Sequence, residues 1–176
     1  MQNEIIFAGF GGQGVLFAGQ LMTYAAMDEG KEVTWIPSYG PEMRGGTANC
    51  TVVIADEEIG SPLVRNPKAA IVMNLPSMDK YEPLVQPGGV LVVNSSLIPR
   101  DAVRKDITVV RIPANEIAEE LGEKRMANMV LLGGLLAHLP VLPVKAIEKA
   151  LAEHLPAKRQ KMLPANIEAM KRGAGY

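Results

Sequence analysis

The sequence predicts a three-layer α/β domain with a mainly parallel, mixed sheet and extra helices toward its C-terminal end. Three observations carry this. Short apolar runs alternate with amphipathic stretches through the first half, whereas helical patterns cluster in the second half. The core is aliphatic: 48% of the 176 residues are hydrophobic, yet only three are Phe and one is Trp. A glycine cluster follows the first apolar run and precedes the first helical pattern, which is the strand–loop–helix order of a ligand-binding α/β edge.

Taken in order, Glu4–Ala8 is a buried strand. Gly14–Glu29 shows Val15, Ala18, Met22 and Ala25 at helical spacing, with Gly30 where a helix end wants a left-handed residue. Glu32–Ile36 is a second strand, and Pro37–Thr47 a long loop broken by Gly40, Pro41, Gly45 and Gly46. Ala48–Ala55 is a strand, with Asp56 and Glu57 expected to turn it into a short hairpin partner around Ile59. Strands follow at Ala69–Asn74, Val90–Asn94 and Ile107–Ile112, with a helix over Leu75–Leu84 and a turn at Gln86–Gly89. Helices are expected over Ala114–Leu121, Ala127–Leu139, Val144–Leu155 and Ala165–Arg172, with Gly122, Pro140, Pro156 and Gly173 as their stops. No repeat, low-complexity tract or domain-sized linker interrupts the pattern.

A formal net charge of −1 gives no global attraction to nucleic acid or to an anionic membrane. Cys50 is the only cysteine, so the chain holds no internal disulfide, Cys-ligated iron–sulfur cluster or Cys-based zinc site. The longest apolar run, Met129–Ala137, is broken by two glycines and is short of the about 20 residues a membrane span needs. No basic stretch precedes the first apolar run and no small-residue cleavage site follows it, so a cytoplasmic location is expected.

Gly9, Gly11 and Gly14 fit G-x-G-x-x-G in a Rossmann-like setting. Such glycines let backbone approach a phosphate, and the N–H groups that open the next helix carry the positive end of its dipole. They equally allow close helix–strand packing alone. A nicotinamide reading wants an acid at the end of the second strand; that strand runs into Trp35, Ile36, Pro37 and Ser38, with Glu32 at its start instead. Gln13 adds an amide able to orient a ligand or a neighbouring loop. The Ser38–Thr47 stretch, SYGPEMRGGT, is a long irregular loop of the functional kind. Its Arg44 suits a phosphate or carboxylate, or alternatively a salt bridge to Glu42 or a partner chain.

GFGGQGV followed by SYGPEMRGGTANCTVVI resembles the gamma subunit, or gamma domain, of the 2-oxoacid:ferredoxin oxidoreductases. Met126–Ala137 and Asn166–Gly173 are similar to the later helices of that family, so the resemblance implies one gamma domain over residues 1–176. It implies a share in a multi-subunit enzyme that decarboxylates a 2-oxoacid, passes electrons to ferredoxin and releases an acyl-coenzyme A. The oxoacid expected is 2-oxoglutarate or a branched-chain one. Thiamine diphosphate, Mg and the iron–sulfur clusters then belong to alpha, beta and ferredoxin-like delta subunits. The resemblance implies that this chain contributes assembly and coenzyme A binding and is inactive alone, and the partner face it implies makes self-association of the isolated chain an expectation. The residues carried into the cofactor site are Gly9, Gly11, Gly12, Gln13 and Gly14, with Ser38, Tyr39, Arg44, Gly45, Gly46 and Thr47 from the second loop. No catalytic or metal-ligating residue is assigned. The alternatives are the beta subunit of an indolepyruvate:ferredoxin oxidoreductase and a stand-alone nucleotide-binding α/β enzyme.

The remaining chemistry-bearing residues have quieter expectations. His138 and His154 belong at helix ends, Cys50 shares a core strand face with Val52 and Ile54, and Asn128 caps a helix. Asn94 is a candidate for the same cleft as the glycine loop, and Lys158–Lys161 a solvated basic face.

Overall fold

The computed structural model describes residues 1–42 and 44–176; Met43, within the SYGPEMRGGT loop, lies outside the described residues. Six strands form one sheet: β1 (Gln2–Phe10), β2 (Glu32–Tyr39), β3 (Thr47–Ala55), β4 (Ala69–Val72), β5 (Val90–Asn94) and β6 (Thr108–Ile112). The order is β2-β3-β1-β4-β5-β6. From β1 to β6 neighbouring strands are parallel, whereas β3 runs antiparallel to both β1 and β2.

The strands alternate between the two faces with period two. Ile5, Phe7, Cys50, Val52, Ile54, Ile71, Val92 and Ile112 face a large core covered by helices α1 (Val15–Asp28), α3 (Ala114–Glu120), α4 (Ala127–His138), α5 (Val144–His154) and α6 (Leu163–Ala174). Ile6, Ala8, Ala70, Val72, Leu91 and Val93 face a smaller core under α2 (Leu75–Tyr81). The apolar composition of α4 follows from its place: residues 127–136 are all buried, so the helix has no polar face to show. No helix is long and apolar enough to cross a membrane among the described residues.

Two expectations are corrected. The mixed character of the sheet comes from a β2–β3 hairpin, and no strand forms around Ile59 among the described residues. The second strand also runs on through Pro37, Ser38 and Tyr39, so the connection spans only residues 40–46. An edge strand has one paired side, and a proline is tolerated there because its missing N–H is not needed by a second neighbour.

Inserting β3 between β1 and β2 leaves those two strands pointing the same way. Phe10 at the end of β1 pairs with Thr47, and Tyr39 at the end of β2 pairs with Ala48. Both glycine-bearing loops therefore leave the same edge of the sheet.

Candidate functional site

The two loops are joined by backbone hydrogen bonds. Gly11 N–H donates to Gly46 O at 2.8 Å, and Gly45 N–H donates to Gly11 O at 3.2 Å. Gln13 closes the first loop on itself: its Oε1 accepts from Phe10 N–H at 2.6 Å, and its N–H donates to Phe10 O at 3.2 Å. The left-handed backbone lies at Gly12 (φ 97°) and Gly14 (φ 76°). Only glycine takes up such angles at low cost, and this explains the glycines at those two positions.

Gly14 is the N-cap of α1, with no side-chain cap and no acid in the first turn. The helix therefore opens with N–H groups that lack an intrahelical partner and with the positive end of its dipole uncompensated. Gly14 O accepts from Asn128 Nδ2 at 3.0 Å, while Asn128 Oδ1 accepts from Met129 N–H at 2.9 Å. Asn128 is thus a buried tie between α4 and the glycine loop; the N-cap of α4 is Met126, which corrects the capping expectation.

These parts border a cavity of about 530 Å³, inside the range usual for ligand pockets. Gly11, Gly12, Gly14, Tyr39 and Arg44 line it, together with Phe10, Val15, Leu16, Phe17 and Ala48 from the same sheet edge. The far wall comes from the 3-10 turn before α4 (Glu123, Arg125, Met126), from Asn128 of α4, and from the α5–α6 region (Leu155, Arg159, Met162, Asn166). Gly9, Gln13, Ser38, Gly45, Gly46 and Thr47 are not among its lining residues. Gln13, Gly45 and Gly46 hold the loops in shape, and Gly9 makes room: a Cβ there would stand 2.5 Å from Gln13 Oε1 and 2.9 Å from Val15 Cγ2.

The lining carries three guanidiniums, Arg44, Arg125 and Arg159, against one carboxylate, Glu123. Among the described residues none of the three forms an ion pair, and the salt bridge between Arg44 and Glu42 does not form. Uncompensated guanidiniums beside an uncapped helix start favour an anion. Arg125 and Arg159 escape a sequence reading because tertiary packing alone brings them here. Arg159 belongs to the Lys158–Lys161 run expected to be a solvated face.

The other candidates lie elsewhere. Asn94 is fully buried, donates to Asn115 Oδ1 at 2.9 Å and to Met73 O at 3.4 Å, and does not line the cavity. Cys50 is fully buried, and desolvation pushes its thiol up to about 12, although a hydrogen bond with Trp35 acts the other way. It is a core residue and not a nucleophile. His138 and His154 are the exposed last residues of α4 and α5, as the sequence suggests.

The family described as pyruvate ferredoxin/flavodoxin oxidoreductase matches residues 4–176. The chain is 39% identical over 176 residues to ketoisovalerate oxidoreductase subunit VorA of Methanothermobacter thermautotrophicus, covering 98% of this chain but 36% of that one. It therefore spans about a third of the length of that relative. It is 37% identical over 159 residues to 2-oxoglutarate synthase subunit KorC of Methanocaldococcus jannaschii, covering 89% of this chain and 85% of the relative. The crystal structure of a keto/oxoacid ferredoxin oxidoreductase gamma subunit from Geobacter sulfurreducens superposes with a TM-score of 0.83 at 31% identity, covering 98% and 96% of the two chains. The chain belongs to the pyruvate ferredoxin/flavodoxin oxidoreductase family and has the fold of its gamma subunit.

Proposed function

We propose that the chain is the gamma component of a 2-oxoacid:ferredoxin oxidoreductase and that its cavity receives the phosphate-bearing end of coenzyme A. In such an enzyme a 2-oxoacid and coenzyme A give an acyl-coenzyme A and carbon dioxide, and two electrons pass to ferredoxin. This chain binds and assembles. Thiamine diphosphate, Mg and the iron–sulfur clusters sit on alpha, beta and delta companions, in keeping with a sole cysteine that is buried here. The relatives named for ketoisovalerate and for 2-oxoglutarate support a branched-chain oxoacid or 2-oxoglutarate as substrate.

The observation that carries the reading is the meeting, in one cavity, of the uncapped start of α1, the left-handed Gly12 and Gly14, and Arg44. A methyl built on Gly12 meets nothing within 4 Å, so the backbone there is open to a ligand. The nicotinamide alternative is disfavoured by the order of strands. A dinucleotide fold sets the end of β2 beside the glycine loop, whereas here β3 separates β2 from β1.

The test is turnover with and without partners. The pure chain, supplied with a 2-oxoacid, coenzyme A and ferredoxin or a viologen dye, is expected to be inactive. Together with its thiamine-binding and cluster-bearing partners it is expected to support coenzyme A-dependent reduction. Turnover by the chain alone, or full activity of the partners without it, would contradict the proposal.

A further inference from the structure

Of the three arginines on the cavity, the proposed phosphate cradle at the start of α1 uses only Arg44. Arg159 stands on a different element, the 3-10 turn Ala157–Met162 between α5 and α6. The backbone of that turn is anchored: Arg159 N–H donates to Pro156 O at 2.7 Å, and Gln160 Nε2 donates to Ala152 O at 2.9 Å and to Leu155 O at 2.8 Å. Within the run Lys158–Lys161 only Arg159 lines the cavity. Arg159 is exposed like Lys158 and Lys161, and its place in the cavity lining is what sets it apart from them.

Resting on the coenzyme A reading, we infer that Arg159 forms a second phosphate subsite, which reads the 3′-phosphate of the adenosine end and makes the site prefer coenzyme A to its dephospho form. One phosphate group is matched by the helix start and Arg44. A ligand anchored there alone leaves Arg125 and Arg159 unused in a lining that holds one acid, Glu123. Coenzyme A carries both a diphosphate and a separate 3′-phosphate, joined by an adenosine. Phe17, Leu16 and Met162 on the cavity wall supply the apolar and aromatic surface that a purine face needs. Arg125 adds a third positive charge to the wall, and the fork of each guanidinium suits phosphate oxygens.

The test is calorimetric titration of the full chain at low salt with coenzyme A, dephospho-coenzyme A and adenosine 3′,5′-bisphosphate. The wild type should bind coenzyme A about tenfold more tightly than the dephospho form, the effect of one charge-assisted contact at a partly solvated site. Arg159→Ala should abolish that difference and leave dephospho-coenzyme A affinity unchanged; Arg159→Lys should retain part of it. Arg44→Ala should weaken both coenzymes alike, and Lys161→Ala neither. Equal binding of the two coenzymes by the wild type, or an undiminished preference in Arg159→Ala, overturns the inference and leaves the coenzyme A reading standing. Failure of the wild type to bind any of the three ligands overturns that reading and the inference with it.

Discussion

The side-chain amide of Asn128 donates to the carbonyl of Gly14 at 3.0 Å, tying α4 to the glycine loop across 114 positions of sequence. Gly14 in turn cannot carry a methyl without striking that same amide. Asn128→Ala should cost about 1–3 kcal/mol, the range for disturbing a buried hydrogen bond. Gly14→Ala adds left-handed strain on the order of 1–2 kcal/mol to the clash. The double variant relieves the clash but keeps the strain, so it should be more stable than the sum of the single losses predicts. Denaturant melts of all four proteins check this; strict additivity would mean that the two residues are not in contact.

Helices α4 and α6 approach at backbone distance. A Cβ on Gly133 would collide with Met170 O, and one on Gly173 with Val130 O. Alanine is the better helix former by about 1 kcal/mol, yet overpacking costs about 1–3 kcal/mol and the obstruction here is backbone. Gly133→Ala and Gly173→Ala should therefore destabilise. Gly134→Ala should be close to neutral, because its first obstacle is the tip of the Ile112 side chain. Thermal melts of the three variants separate these outcomes.

Glu82 is 1% exposed. Its Oε1 accepts from the backbone N–H groups of Val103 at 2.5 Å and Arg104 at 3.0 Å, and its Oε2 from Arg100 Nη1 at 2.8 Å. Burial pushes the carboxyl up, but these N–H groups and the Arg100 guanidinium outweigh it and hold Glu82 below its ordinary value. A carboxyl lowered in the folded state adds stability that is fully present above its unfolded value. That stability is lost as the pH falls through the folded value. Glu82→Gln should cost about 1.5–3 kcal/mol at neutral pH. The gap to wild type should narrow on acidification below the usual glutamate range, and urea melts across that window test it.

Cys50 should resist thiol reagents in the native protein, because burial raises its thiol to about 12 and leaves it out of reach. Modification should track unfolding by denaturant. Rapid labelling of the folded chain would show that β3 and α1 separate.

Much of the fold was legible in the sequence because it is locally encoded. The apolar periods of Val15–Asp28 and Val144–His154, Asn74 before α2, and the stops at Gly122, Pro140 and Pro156 all act within a few residues, whereas Gly173, expected to end the last helix, lies inside α6. Asn74 does accept from Ser77 N–H at 2.9 Å, as a helix start requires. What failed was non-local. Nothing between Asp56 and Ile59 reveals that β3 pairs backward with both β1 and β2. Proline 37 read as a stop because its tolerance depends on β2 being an edge. The near wall of the cavity was visible as two glycine-rich loops. The far wall, with Arg125, Asn128 and Arg159, was hidden because those residues reach the loop only through the packing of α4, α5 and α6.

The central claim is that the glycine loop and Arg44 bind coenzyme A within an assembled oxidoreductase. Its most direct test is the apparent KM for coenzyme A, set against that for the oxoacid, in complexes carrying Arg44→Ala or Gly12→Ala. On that claim Arg44→Ala would remove a charge-assisted contact on the order of 1.5–3 kcal/mol. Gly12→Ala places a methyl into the open cavity at a φ of 97°. Both variants should assemble and raise the KM for coenzyme A by about tenfold or more, with that for the oxoacid little changed. Normal assembly with a wild-type KM for coenzyme A in both would contradict the account and leave the two loops a purely structural role.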